Sequence, residues 1–535
     1  MPTITLDKKD LLNQIGKKLS DDKLKDRISM IGTDLERITP KEIEVEIFPN
    51  RPDMLSSEGF ARALSSFIGN KTGLRQYKVN SSKYSLKIDK KVSKVRPYAV
   101  AAVIKGIKLN EPIIESLMQV QEKLHTTFGR NRKKASIGVY DLDKIEFPLT
   151  YTTKSKGFKF TPLEMGSELT LSQILEKHPK GKDYSKLLDG FSEFPIWLDA
   201  NNQVLSMPPI INSENTKVTE KTTNLFIDVT GTELQTIEQT LNMIITSLAD
   251  RGGNIYSVKV EKNNYPNLAP RKLKLDLKYV NRILGLEINQ KEVKKLLEKM
   301  GFDYTQPYVS IPVYRSDIFS QIDLVEDIAI AYGYENFKPE IPRVATIAQE
   351  DELEIFKNKI AEILVGFRLT ETNTYNLTSK VKQLKLMNTK MKIVELENAL
   401  NEDYNVLRAR ITPSLLEVLK NNRHHEYPQR IFEIGDVFTP KEKSRLAVAL
   451  AHKTADYTES KQIIDYLLTI LGLEYSIEEC VHDSYIPGRV GRVIVKGKPV
   501  AYIGEISPEV LSNFNLEVPV STFELNLTDL FKLIK

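Results

Sequence analysis

The chain has 535 residues, 41% hydrophobic and 27% charged, with a formal net charge of +5, which is room for about three to five domains and too little charge to announce nucleic acid by itself. No run of about 18 apolar residues occurs, and the start Met1-Pro-Thr-Ile-Thr-Leu-Asp-Lys-Lys has no secretory h-region, so a cytoplasmic location without a membrane partner is expected. One cysteine, Cys480, excludes an internal disulfide, and six scattered histidines offer no zinc-like spacing with it.

Along the chain, the Lys-, Ser- and Asn-rich stretch from Gly69 to Lys94 reads as a connection. Further breaks near Lys262 to Pro270 and Phe337 to Pro342 give expected domains at 1–85, 86–265, 266–342 and 343–535, an α+β multidomain chain that opens with a small mixed N-terminal domain. In the second domain, a helix from about Glu111 to Leu124 carries Ile114, Leu117, Met118 and Leu124 on one side, with Pro112 in its first turn. Next, Gly129-Arg130-Asn131-Arg132-Lys133-Lys134 sets four cations directly before the strand-like run Ala135 to Leu142. Such a loop suits phosphates as well as plain solvent. The run from Met207-Pro208-Pro209 to Thr219, followed by Asn224 to Thr232, combines paired prolines with small polar side chains. That composition fits a rigid hydrogen-bonding wall, or a hairpin with its hydroxyls in water. A second helix, Glu233 to Asp250, has Ile237, Leu241, Ile244 and Leu248 at helical spacing and Gly252-Gly253 as its stop.

In the third domain, Leu273 to Leu277 alternates like a strand, and Asn289-Gln-Lys-Glu292 is a capping box for a helix ending at Met300-Gly301. Val309 to Tyr314, interrupted by Pro312, predicts an edge strand. From Ser316 to Phe337 the chain then carries Asp317, Asp323, Glu326, Asp327 and Glu335 with no lysine or arginine. A helix from about Asp323 to Tyr332 places Asp323, Glu326 and Asp327 within an arc of roughly 100°, opposite an apolar stripe of Ile318, Ile322, Val325, Ala329 and Tyr332. A strand-to-helix turn would add Asp317. These hard oxygen donors suit Mg²⁺ or Ca²⁺, and the same spacing also fits a solvated face favoured by the helix dipole. After residue 350, helical segments alternate with strands such as Arg430 to Phe438 and Val493 to Ile506, which predicts an α+β domain on an antiparallel sheet. His424-His425 reads as a polar helix end, and Gly488 to Arg492 as a structural strand opening.

The segment Tyr314-Arg315-Ser316-Asp317-Ile318, with Asp323-Leu-Val-Glu326-Asp327-Ile-Ala-Ile-Ala-Tyr332-Gly333-Tyr334, resembles the β subunits of phenylalanyl-tRNA synthetases, most closely their archaeal and eukaryotic cytosolic form. Glu46 to Arg62 resembles the first domain of that family, Met207 to Thr232 its editing domain, and Tyr485 to Arg489 with Gly504 to Val510 its C-terminal catalytic-like domain. These four motifs stand in family order, and the similarity extends along essentially the whole chain.

The resemblance implies an α/β editing domain at 86–265, a small helix-rich metal-bearing domain at 266–342 and a class II synthetase-like antiparallel sheet domain at 343–535 without catalytic motifs. Arg430-Ile-Phe-Glu433 is only loosely similar to the second class II motif, and neither a phosphate-binding loop nor a class I signature occurs. It further implies an α₂β₂ assembly in which the α subunit attaches phenylalanine to tRNA(Phe) with ATP. A Mg²⁺ shared with that subunit is expected on Asp317, Asp323, Glu326 and Asp327. This chain is expected to hydrolyse tyrosine misattached to tRNA(Phe), since an apolar pocket rejects one extra hydroxyl only about 10²-fold. Candidates for that pocket are Asn212, Ser213, Asp228 and Thr230, with Thr232 farther out, and a positioned water with the tRNA's own hydroxyl in place of a protein nucleophile. Relative to the longer bacterial form, no C-terminal anticodon-binding domain and no extra oligonucleotide-binding barrel are expected. A stand-alone deacylase and a non-catalytic RNA-binding scaffold are the rival readings.

Overall fold

Hydrophobic alternation and helical stripes sort the chain into two units, Met1–Glu340 and Ile341–Lys535, in a computed structural model that describes residues 2–535. The first unit begins with a three-stranded antiparallel sheet in which Glu42–Glu46 lies between Thr3–Asp7 and Asp34–Ile38. Helix Ser57–Phe67 follows, its start fixed by the Ser56 hydroxyl accepting from the Gly59 amide at 2.8 Å. Gly59 is required there because a Cβ would run into the carbonyl of Asp53.

The same unit contains an eleven-stranded sheet. Asn224–Gly231 is held antiparallel between Tyr98–Lys105 and Ala135–Asp141. Helix Leu234–Asp250 covers these strands, and Ile237, Leu241, Ile244 and Leu248 are all buried as their spacing predicts. Each such side chain contributes roughly 1.5–3 kcal/mol on burial. Farther along the sheet come Leu149–Ser155, Glu193–Leu198, Val204–Met207 and Ile211–Asn212. The sheet bends so that its ends face each other: Tyr140, near one end, meets Ser206, near the other, with 2.7 Å between their hydroxyl oxygens. Helix Glu111–Thr126 buries Leu117, Val120 and Leu124, whereas Met118, expected on the same side, is 57% exposed because the stripe turns past it. The expected boundary after residue 85 falls inside strand Ser85–Ile88, which pairs into the large sheet.

Arg271–Lys274, Asp303–Thr305 and Tyr308–Ile311 form a three-stranded sheet, accompanied by helices Leu277–Leu284, Gln290–Lys299 and Gln321–Tyr332. The Asn289–Glu292 capping box is present, with bonds of 3.2 and 2.7 Å. The expected edge strand at 309–314 is corrected: Tyr308–Ile311 is the central strand, and it can be, because Pro312 lies just beyond its last paired residue.

In the second unit, a seven-stranded sheet is antiparallel except where Thr370–Glu371 runs parallel to Gln429–Phe438. Helices Glu352–Gly366, Tyr457–Ile470 and Leu527–Ile534 pack on one face, against Phe432, Leu446, Val448 and Phe523. Helix Thr412–Asn421 packs on the other, over the small side chains Ala447, Ala449 and Ala451. Gly488 to Arg492 lies within strand Tyr485–Val495, and His424-His425 follows the end of helix Thr412–Asn421.

Candidate functional site

Where the large sheet bends, it encloses a cavity of ≈ 370 Å³. Asn212, Ser213, Asp228 and Thr230 all line it, and Thr232 does not. Strand alternation accounts for the pair Asp228 and Thr230, two residues apart on one face of a central strand. The side chains of Asn212 and Ser213 are partly committed to holding the wall. The Asn212 amide donates to the Val139 carbonyl at 3.2 Å, and the Ser213 hydroxyl donates to the Thr161 carbonyl at 3.3 Å while capping the turn Glu214–Thr216. The exposed Thr232 hydroxyl donates to the Lys133 carbonyl.

Asp228 forms the floor. The Trp197 indole donates to Oδ2 at 3.1 Å, while Oδ1 is buried without any protein partner. The nearby Tyr140 hydroxyl tends to lower the carboxyl's pKa, yet no hydrogen bond of good geometry reaches Oδ1, and that hydroxyl is paired with Ser206. Burial dominates and pushes the carboxyl up to about 7. Gly138 stands opposite Asp228 in the ladder, and a Cβ there would collide with both Oδ1 and the Tyr140 hydroxyl. The missing side chain therefore keeps the approach to the carboxylate open. Thr216 Oγ1 and Arg132 Nε, also in the lining, are further buried polar atoms without a partner.

Charge on the walls is neutralised from within. Arg96, buried, donates to the Thr230 hydroxyl at 2.9 Å and to its carbonyl at 2.6 Å, and burial lowers its pKa to about 10. Glu122 accepts from Arg132 and Lys180, each at 2.9 Å. With His125 and these cations around it, Glu122 is held well below the usual carboxylate range. His125 Nε2 accepts from the Ile137 amide at 2.8 Å, which leaves Nδ1 as the protonated nitrogen facing Glu122. Burial brings this imidazole down to about 4, so it is neutral and has no free lone pair to serve as a base.

The basic loop before Ala135 is only partly available to phosphate. Arg130, Asn131 and Arg132 take left-handed backbone conformations, with φ of 49°, 52° and 63°, and this turns Arg132 inward. Its guanidinium donates to the carbonyls of Pro209 and Ile210 and lies over Tyr184. Lys134 pairs with Glu233 at 2.8 Å, and Arg130 and Lys133 remain exposed. Glu122, His125, Gly138, Tyr140, Trp197 and Ser206 belong to the site without having been singled out by sequence. The two available signals were that Trp197 is the sole tryptophan and that Gly138 breaks a strand otherwise made of larger side chains.

The acidic segment is arranged differently from the expected set of four converging ligands. Arg315, one residue before the cation-free stretch, donates to Asp317 at 2.8 and 2.7 Å and to Asp327 at 2.7 Å. Burial of Asp327 pushes its carboxyl up, whereas for Asp317 the burial effect is outweighed by Arg315 and the carboxyl sits below its ordinary value. Asp323 accepts from the amides of Phe319 and Ser320 at 2.8 and 2.7 Å, and Glu326 accepts from the Tyr334 hydroxyl at 2.8 Å. Ile318, Val325 and Ala329 are buried as expected, but Leu324 and Ile328 are fully buried too and Ile322 is 42% exposed, so the buried side of helix Gln321–Tyr332 extends round to Asp327, which faces inward. Among the described residues, the acidic groups close enough for one ion are Asp34, Glu36 and Glu46. As placed, the four expected carboxylates do not fit a Mg²⁺ cage, because a guanidinium already neutralises two of them and the other two turn to local donors.

Four family models match in order: Phe-tRNA synthetase beta subunit B1 domain at residues 1–70, B3/4 domain at 81–249, tRNA synthetase B5 domain at 273–334, and Phenylalanyl tRNA synthetase beta chain CLM domain at 338–527. The phenylalanine–tRNA ligase beta subunit of Pyrococcus horikoshii is 41% identical over 99% of this chain and 100% of its own length. That of Archaeoglobus fulgidus is 40% identical over 99% of each. The crystal structure of an N-terminal fragment of the phenylalanyl-tRNA synthetase beta subunit from Pyrococcus horikoshii superposes with a TM-score of 0.59 at 38% identity, covering 62% of this chain and 99% of the fragment.

Proposed function

As this chain belongs to the family of phenylalanine–tRNA ligase β subunits, we propose that its cavity floored by Asp228 hydrolyses tyrosine misattached to tRNA(Phe). The observation that carries this reading is Asp228 Oδ1, a buried acceptor without a partner at the end of a cavity of ≈ 370 Å³. A tyrosyl phenol supplies the missing donor. A phenylalanyl ring would leave the oxygen unpaired, at a cost of roughly 1–3 kcal/mol. Trp197 and Gly138 orient and expose that oxygen.

Hydrolysis in this site uses water and a hydroxyl of the tRNA. The lining has no cysteine, and both its histidines are occupied, His125 by the Ile137 amide and Glu122 and His178 by the Lys180 amide and the Leu163 carbonyl. The Ser213 hydroxyl is engaged with Thr161, and that of Ser206 with Tyr140. The chain's own contribution is selection and positioning.

The reading includes an α partner that attaches phenylalanine to tRNA(Phe) with ATP, the two forming α₂β₂; the beta-subunit naming of the relatives supports such a partner. The test is deacylation of Tyr-tRNA(Phe) by wild type and Asp228→Ala, each copurified with the α subunit. The variant should keep aminoacylation and lose tyrosine clearance at least about tenfold. Unchanged clearance would remove the cavity from the reaction.

A further inference from the structure

On the face of the second unit's sheet that carries helix Thr412–Asn421, Arg410, Arg445, Arg492, Tyr502 and Glu524 surround a cleft of ≈ 110 Å³. Register places them together. Arg492 stands opposite Tyr502, Tyr502 opposite Glu524, and Arg445 opposite Asn526 on adjacent strands. We propose that this cleft binds the phosphate group of a small phosphate-bearing anion, at a site separate from the cavity around Asp228.

The donors outnumber the acceptors. Glu524 is the carboxylate at this cleft and its oxygens are already taken: Oε2 accepts from the Ile411 and Thr412 amides at 3.2 and 2.9 Å and from the Thr412 hydroxyl at 2.7 Å, and Oε1 accepts from Arg445 at 2.8 Å. Arg492 has no hydrogen-bond acceptor among the described residues, and its guanidinium lies 3.8 Å from the centre of the Tyr502 ring. Arg445 Nε is buried without a partner. Arg410 reaches only His482 Nε2, at 2.6 Å, although His482 Nδ1 already faces the Ser484 amide at 3.2 Å. A neutral imidazole has a single acceptor nitrogen, so one of these two N–H groups is left unsatisfied. Burial and Arg410 bring the imidazole down to about 4, so it adds no charge at neutral pH.

Within the cleft lining, three guanidinium charges against one carboxylate leave an excess of two positive charges, and Glu478, opposite Arg492 on the outer strand, is exposed and forms no ion pair with it among the described residues. Asp483, next to His482, is exposed and forms no ion pair with these arginines among the described residues. A phosphate dianion matches both the excess charge and the fork geometry of arginine donors. The cleft is small, so it encloses the phosphate and leaves the rest of the carrier outside. Arg492 is drawn from strand Tyr485–Val495, where Gly488 to Arg492 reads as structural by sequence, and only the strand register turns it toward Arg410 and Arg445.

The test is calorimetric titration of the full chain with inorganic phosphate, pyrophosphate and ATP at low salt. Wild type should bind one phosphate-bearing anion per chain. Arg492→Gln and Arg410→Gln, each checked for an unchanged melting curve, should bind it at least about tenfold more weakly. Arg492→Gln loses no hydrogen bond on the protein, so it should fold. Binding of phosphate and pyrophosphate as tight as that of ATP identifies the free anion as ligand, and tighter ATP binding identifies a nucleotide. Asp228→Ala should leave these titrations unchanged, which separates this site from the cavity. The proposal is overturned if no anion binds wild type, or if both variants bind like wild type. It is also overturned if the variants weaken only tRNA binding while none of the three anions binds.

Discussion

The Trp197 indole nitrogen donates to Asp228 at 3.1 Å, and this single bond fixes the carboxylate so that its second oxygen stays buried and open to the cavity. Trp197 lies on strand Glu193–Leu198 and Asp228 on Asn224–Gly231, and these strands come together only because the sheet bends.

Gly138→Ala tests the open approach. A methyl group there would press on Asp228 Oδ1 and the Tyr140 hydroxyl, and such overpacking costs about 1–3 kcal/mol. Tyrosine clearance should fall at least about tenfold while aminoacylation with the α subunit is kept. Wild-type clearance by Gly138→Ala, measured on purified Tyr-tRNA(Phe), would show that the space at Gly138 is not used.

Asp228 also makes stability depend on pH. Burial pushes its carboxyl up to about 7 from an ordinary 3.8. The folded chain therefore holds a proton that the unfolded chain releases earlier. The stability linked to that proton is complete below about pH 4 and is lost as the pH rises through about 7. Asp228→Asn removes the titration, so its melting temperature relative to wild type should climb between about pH 5 and about pH 8. A difference that stays flat over that range would contradict the buried carboxyl.

Arg315 holds the acidic segment together. Arg315→Met leaves Asp317 and Asp327 buried beside each other without their hydrogen-bonded cation, with Arg51 as the remaining charge nearby, and breaking such a pair costs about 3–5 kcal/mol. The first unfolding transition of the full chain should move down accordingly. Chelation with EDTA should leave the wild-type transition in place, because the guanidinium already supplies the counter-charge. A downward shift with EDTA, restored by Mg²⁺, would overturn this assignment.

Much of the scaffold was legible in the residues. The i, i+4, i+7, i+11 spacing of Ile237, Leu241, Ile244 and Leu248 marks a helix whose buried face is found as expected, and the Asn289–Glu292 box caps its helix. Asp228 and Thr230 were legible because alternation puts both on one face. The rest of the site was not. Tyr140 and Trp197 read as ordinary strand aromatics. Tyr140 adjoins Asp228 through the strand ladder, whereas only the bend of the sheet brings Trp197 to Asp228 and Ser206 to Tyr140. Arg315 belongs to the motif that carries the family resemblance, but its role as counter-charge was not legible, because it stands one residue before the cation-free stretch and reaches Asp327 only through the fold.

The most direct measurement is the deacylation rate of Tyr-tRNA(Phe) relative to Phe-tRNA(Phe), for the wild-type complex and for Asp228→Ala. A phenol paired with Oδ1 predicts a wild-type preference for tyrosine of about tenfold or more, from the roughly 1–3 kcal/mol cost of an unpaired buried acceptor. In Asp228→Ala the two rates should converge. A preference that survives the substitution undiminished would place tyrosine recognition elsewhere in the chain.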